Sequence, residues 1–215
     1  MSNVLKATKL DFSLVRPYAK VIGFTMLLPI AFAAINRSIL TGVSFAMCFI
    51  AMTTGYTFSI SEKNSMDRLY GILPIKKSEM VTGRYLFVLA LGALALVVSL
   101  IVQPIVLRAM GENVGTLDMI SAAIGGLFLF ALYTVFQIPG YYKYGAIKGR
   151  VFMYIPVAGF LATLFLLPKM PADNPIVAIV VGSPVRLIVL VLVLVIVMYA
   201  VSIWLSIRIM ENKEM

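Results

Sequence analysis

The side chains that most often do chemistry are scarce in this sequence. None of the 215 residues is histidine. That removes the commonest general base and metal ligand, and with it HExxH metallopeptidases and His-based triads. The single cysteine, Cys48, cannot form an internal disulfide. No serine lies in a GxSxG setting, and no GxxxxGK[ST] loop could cradle a nucleotide phosphate. The polar residues that do have an organised spacing lie at 61–84, SEKNSMDRLYGILPIKKSEMVTGR, which holds eight charged residues. Their chemistry is recognition. Met66, Leu69, Tyr70 and Leu73 fall at i, i+3, i+4 and i+7, one apolar face of a helix. Glu62, Lys63, Asn64, Asp67 and Arg68 occupy the remainder.

Local signals frame that helix. Ser59 or Ser61 could cap its start, and Gly71 could end or bend it. Pro74 forces Leu73 into an extended conformation. Ser78 with Glu79 reads as a second N-cap, leading into the next apolar run. The stretch therefore predicts a short amphipathic helix, a proline turn and a helix entering the membrane. Its mixed charge favours a protein surface over lipid as its contact, against the alternative of a passive connector.

The elements that hold this stretch are membrane spans. The sequence is 61% hydrophobic, with a mean hydropathy of +1.01, and several apolar runs are long enough to cross a bilayer. The expected fold is all-α, a single transmembrane domain over 1–215 with six transmembrane helices near 17–35, 39–60, 85–107, 119–141, 151–167 and 185–207. Pro29 predicts a kink in the first. The second is rich in small and hydroxyl residues, from Thr41 and Gly42 to Ser59, which suits close helix contact. The last is rich in Val, Leu and Ile and reads as lipid-facing. Residues 2–16 place Lys6, Lys9, Ser13 and Arg16 on one side and a broad apolar arc opposite, interrupted by Thr8 and Asp11. That pattern predicts an N-terminal interfacial helix, the alternative being a basic tail.

The net charge of +9 follows from topology rather than nucleic acid. With both termini, the 61–84 stretch and the 143–150 connector placed in the cytoplasm, 14 Lys and Arg lie inside and four outside.

The run YTFSISEKNSMDRLYGILPIKKSEMVTGRYLF resembles the ABC-2 type transporter permeases, through Phe58, Glu62, Lys63, Leu73, Pro74, Ile75, Lys77, Val81, Arg84 and Tyr85. Six spans with short outer loops extend the resemblance over the whole chain. The closest likeness in size is to small exporters of cytolytic or antimicrobial peptides in Gram-positive bacteria. The resemblance implies a permease subunit of an ATP-driven ABC exporter in the bacterial plasma membrane, not itself an enzyme and without a cofactor of its own. ATP and Mg²⁺ would sit on two copies of a separate ABC ATPase subunit. A second permease copy, identical or a paralogue, would complete the transporter. The loop between spans 2 and 3 would be the cytoplasmic coupling helix, with Glu62, Lys63, Asn64, Met66, Asp67, Arg68, Leu69, Tyr70, Leu73 and Pro74 engaging the ATPase. Phe45, Met47, Phe49, Met52, Phe152, Tyr154 and Phe160 would suit a pathway for a hydrophobic or amphipathic substrate. The competing reading is a non-ABC scaffold or peptide-immunity subunit that binds its ligand without ATP.

Overall fold

Inside a bilayer no water satisfies a peptide group, so an apolar run must close its own backbone hydrogen bonds as helix. The computed structural model describes residues 3–66, 75–159 and 184–213, and these are helical with no strand among them. Helix α1 is Asn3–Val15, followed by a 3₁₀ turn at Arg16–Tyr18. Then come α2 (Ala19–Thr25), α3 (Leu27–Asn36) and α4 (Ile39–Lys63). Among the described residues α5 (Lys77–Ala109), α6 (Thr116–Lys148) and α7 (Pro184–Glu211) follow, with a 3₁₀ turn at Gly149–Met153 after α6.

Five stretches among the described residues are long and apolar enough to span: Asn3–Asn36, Ile39–Lys63, Lys77–Ala109, Thr116–Gly159 and Ile188–Glu211. The expected fifth span, 151–167, is described only to residue 159, where it continues from α6 past a break at Gly145. Its remainder lies outside the described residues.

Backbone breaks follow local chemistry. Pro29 has no N–H to offer the Thr25 carbonyl, and the helix breaks between Thr25 and Leu27. At the next turn Arg37 adopts a left-handed conformation, and the Ser38 hydroxyl accepts from Thr41 N at 3.4 Å to start α4. Helix α5 starts at Lys77 with its cap at Lys76, two residues before the expected cap at Ser78. Glu79 reaches back to accept from Lys76 N at 3.0 Å, so the carboxylate does the capping.

Helix α4 forms the centre. It runs parallel to α6, since a Cβ on Gly126 would meet Val43 and Met47 near one end, and a Cβ on Gly55 would meet Tyr141 near the other. Gly42, Ala46, Ala51, Thr54 and Thr57 are buried along α4, as its small-residue sequence leads one to expect. Phe45, Met52 and Tyr56 form its outward face.

Helix α7 departs from the lipid-facing reading. Residues such as Val189, Val193 and Ile196 are exposed, but Ser202, Ser206 and Met210 are buried. Pro139 deprives the Val135 carbonyl of its helical donor, and the Ser202 hydroxyl donates to it at 2.8 Å. Ser202 then accepts from Tyr85 Oη at 2.6 Å, which in turn accepts from Ser206 Oγ at 2.9 Å. Thr134 Oγ1 donates to the Phe130 carbonyl and so accepts from Tyr199 Oη at 2.6 Å. A polar seam of hydroxyls at i, i+3 and i+7 on α7 thus ties α5, α6 and α7 together. Ser202→Ala should lower stability by about 1 kcal/mol, the scale of a hydrogen bond between membrane helices. Unfolding in detergent reads this, and an unchanged midpoint would mean that the Val135 carbonyl finds another partner.

Candidate functional site

The 61–84 stretch lies at the end of the bundle where α4 stops, α5 starts and α7 finishes. Helix α4 continues through Ser59 and Ser61, so neither caps a new helix. The chain turns at Asn64 and Ser65, with Ser65 at a φ of 49°, and helical geometry resumes at Met66, which is buried. Glu62, Lys63 and Asn64 are exposed at this turn. Asp67, Arg68, Leu69, Tyr70, Leu73 and Pro74 lie outside the described residues.

The last turn of α4 is fastened in two directions. Ser61 Oγ donates to the Thr57 carbonyl at 2.9 Å and accepts from Arg84 Nη2 at 3.2 Å. Arg84 is 5% exposed, a charge that must be paired to be tolerated. Its Nη2 and Nε donate to the two Asp11 carboxylate oxygens at 2.7 and 3.1 Å. Its guanidinium also lies 4.7 Å over the Phe58 ring. A two-pronged, charge-assisted pair of this kind fixes orientation as well as charge.

Asp11 reaches Arg84 because α1 lies along the first turns of α5. Asn3 donates to the Glu79 carboxylate at 3.2 Å, and Thr8 Oγ1 donates to the Gly83 carbonyl at 3.0 Å. A Cβ on Gly83 would meet the Ala7 Cβ at 2.7 Å, so only glycine lets α1 approach so closely. Phe12 meets the Phe87 ring edge-on at 4.8 Å. Thr8 and Asp11, which interrupt the apolar arc of α1 in sequence, are therefore its docking residues, whereas Leu5 and Phe12 stay exposed.

The second fastening is Glu62, whose carboxylate accepts from Ala146 N at 2.6 Å. The α6 path breaks at Gly145, with φ 79° and ψ 176°. The Glu62 carboxylate occupies the place where a Cβ on Gly145 would stand, so glycine is required there by space and by conformation. A pocket of about 50 Å³ lies between the two fastenings, lined by residues including Asp11, Ser61, Glu62, Arg84 and Tyr141. The Tyr141 hydroxyl has no partner among the described residues, and a pocket of this size admits water.

The pathway residues separate. Phe45, Phe49 and Met52 share one outward face of α4, with Phe45 stacked on Phe32 of α3 at 4.4 Å. Met47 is fully buried against Gly126, away from that face. Phe152 stacks on Tyr144 at 5.5 Å, Tyr154 is exposed, and Phe160 lies outside the described residues. No group of three His, Cys, Asp or Glu side chains that could hold a metal occurs among the described residues.

Sequence reasoning missed Asp11, Ser61 and Gly145 as a connected set. The available signals were an acid on an apolar helix face and an arginine followed directly by an apolar run.

Arg84→Ala would leave the Asp11 carboxylate buried and unpaired, and should destabilise by about 3–5 kcal/mol. Removing both partners, in D11A/R84A, should recover part of that loss. A double-mutant cycle read by unfolding in detergent measures the coupling; additive losses would contradict the pairing.

No curated protein and no solved structure matches this chain. A family model described as ABC-2 family transporter protein does match, over residues 8–211. That match takes in α4, the 61–84 stretch and all but the ends of the chain, and the protein belongs to the ABC-2 family of transporter proteins.

Proposed function

We propose that this chain is the permease subunit of an ATP-driven exporter that moves a hydrophobic or amphipathic substrate, in the first instance a peptide. Two copies of a separate ABC ATPase bind and hydrolyse ATP with Mg²⁺, and a second permease copy completes the pathway. The chain crosses a bacterial plasma membrane six times with both termini in the cytoplasm, and the positive charge bias supports that orientation.

The observation that carries this reading is the anchorage of the 61–84 stretch. At its start Ser61 and Glu62 bind it to α5 and to the 143–150 connector, and at its finish Arg84 binds it to α1. A passive loop has no need of such ties, whereas a docking element passes on displacement only through rigid neighbours. Lys63, Asn64 and the 67–74 residues form the coupling region, with the apolar set Leu69, Tyr70 and Leu73 seated on the ATPase, while Glu62, bonded to Ala146, and the buried Met66 anchor its root. The outward face of Phe45, Phe49 and Met52 supplies adaptable apolar surface for the substrate.

Capture of the tagged chain from its native membranes tests the reading, since an ABC ATPase should come with it. Asp67→Ala together with Leu69→Ala should reduce ATPase recovery at least about tenfold, the loss expected for interface anchors worth more than 1.4 kcal/mol. Full recovery by the double variant would overturn the coupling assignment. Capture of a peptide with no ATPase would favour the scaffold or immunity reading.

A further inference from the structure

Glu62 stands at the root of the stretch expected to dock, yet its carboxylate is turned to internal use. Its Oε1 accepts from Ala146 N, 84 residues away, at 2.6 Å. The break at Gly145 makes that N–H the first of the helical segment that follows, where no preceding turn supplies an acceptor. A carboxylate on such a donor forms a charge-assisted bond, stronger than a neutral one. Arg150 Nη2 to Ser59 Oγ, at 3.5 Å, joins the same two elements one turn further on. Gly145 is where the backbone departs from helix, so the segment 146–159 continues from α6 through a single non-helical residue. At this end of the bundle the segment is also held by packing on α6, where Phe152 stacks on Tyr144 at 5.5 Å and Gly149 lies against Tyr141, and by the last turn of α4, which is its tie to the 61–84 stretch.

We propose that Glu62 is a positioning residue that makes the connector 146–159 move with the 61–84 stretch. Displacement at the docking surface then passes into the span after the connector as well as into α4, and Gly145 takes up the rotation. This rests on the proposed function for the source of the displacement. It assigns Glu62 a role distinct from contact with the ATPase.

Spin labels at Leu40→Cys and Ile147→Cys, in a Cys48→Ser background, read the idea. Both sites are exposed, at 48% and 79%. They should lie about 35 Å apart, because some 22 helical residues separate their levels along α4. In the isolated chain the pulsed dipolar distance should be single and narrow. Glu62→Ala should at least double its width, and Glu62→Gln, which keeps a carbonyl acceptor, should restore it. Gly145→Ala breaks the clamp from the other side and should reproduce the broadening, which covers the case in which Glu62→Ala does not fold. In the captured complex, ATP with vanadate should leave the distance unchanged in the parent and in Glu62→Gln but shift it in Glu62→Ala, with ATPase recovery maintained. A narrow distribution in Glu62→Ala, or no nucleotide-induced shift in that variant, would overturn the proposal. So would a tenfold loss of ATPase recovery without broadening, which would make Glu62 a docking contact. Absence of any ATPase from the captured material would instead sink the proposed function, while the isolated chain still reports on the clamp.

Discussion

An arginine removed from water must be neutralised where it stands, and Arg84 sets the terms for one whole end of this molecule. Its guanidinium needs a carboxylate in a fixed plane, and Asp11 of α1 supplies it. Presenting Asp11 requires α1 to lie flush on α5, which in turn requires Gly83 and Ala7 at the crossing. Nη2 also donates to Ser61, so the end of α4 is drawn into the same knot. A buried pair of this sort contributes little net stability against apolar residues of the same size, because both ions lose their hydration. Its value lies in specificity: α1, α4 and α5 have one arrangement in which neither charge is stranded.

The interior of the bundle obeys the same rule with neutral groups. Small residues bring α4 and α6 together, and hydroxyls bring α7 onto α5 and α6. The proline in α6 frees a carbonyl, and a serine from another helix answers it. Two glutamines stand outside this accounting. Gln103 and Gln137 are fully buried, and neither amide has a partner among the described residues. The Gln103 amide lies against Gly42, where a Cβ could not be placed. An unmade hydrogen bond at such depth costs about 1–3 kcal/mol per group, so these two amides weigh against the packing that surrounds them.

The five long apolar helices were legible in sequence because their signal is composition over about twenty residues, and an apolar run in lipid closes its backbone bonds as helix. The start of α4, the turn at Asn36–Ser38 and the break ahead of Pro29 came from local rules that act within four residues. The junction was not legible for the opposite reason. Asp11 with Arg84, and Glu62 with Ala146, join residues 73 and 84 positions apart. Periodicity cannot see partners at that distance, and in sequence Asp11 reads as a flaw in an apolar face. The hydroxyls of α7 were outvoted by the aliphatic residues around them, although Tyr199, Ser202 and Ser206 lie on one helical face. The centre of the 61–84 stretch, at 67–74, is known from sequence alone.

The parallel run of α4 and α6 has one more consequence. The contact of Lys77 with the Lys213 carbonyl places the finish of α7 at the same end of the bundle, so three helices terminate there. Each helix presents about half a negative charge at its C-terminus, from carbonyls that have no following donor. The last turns of α4, α6 and α7 carry Lys63, Lys148 and Arg208, while α5, which begins at this end, carries Glu79 in its first turn. The basic residues counted to orient the chain thus also offset the summed helix dipoles of the face on which they gather.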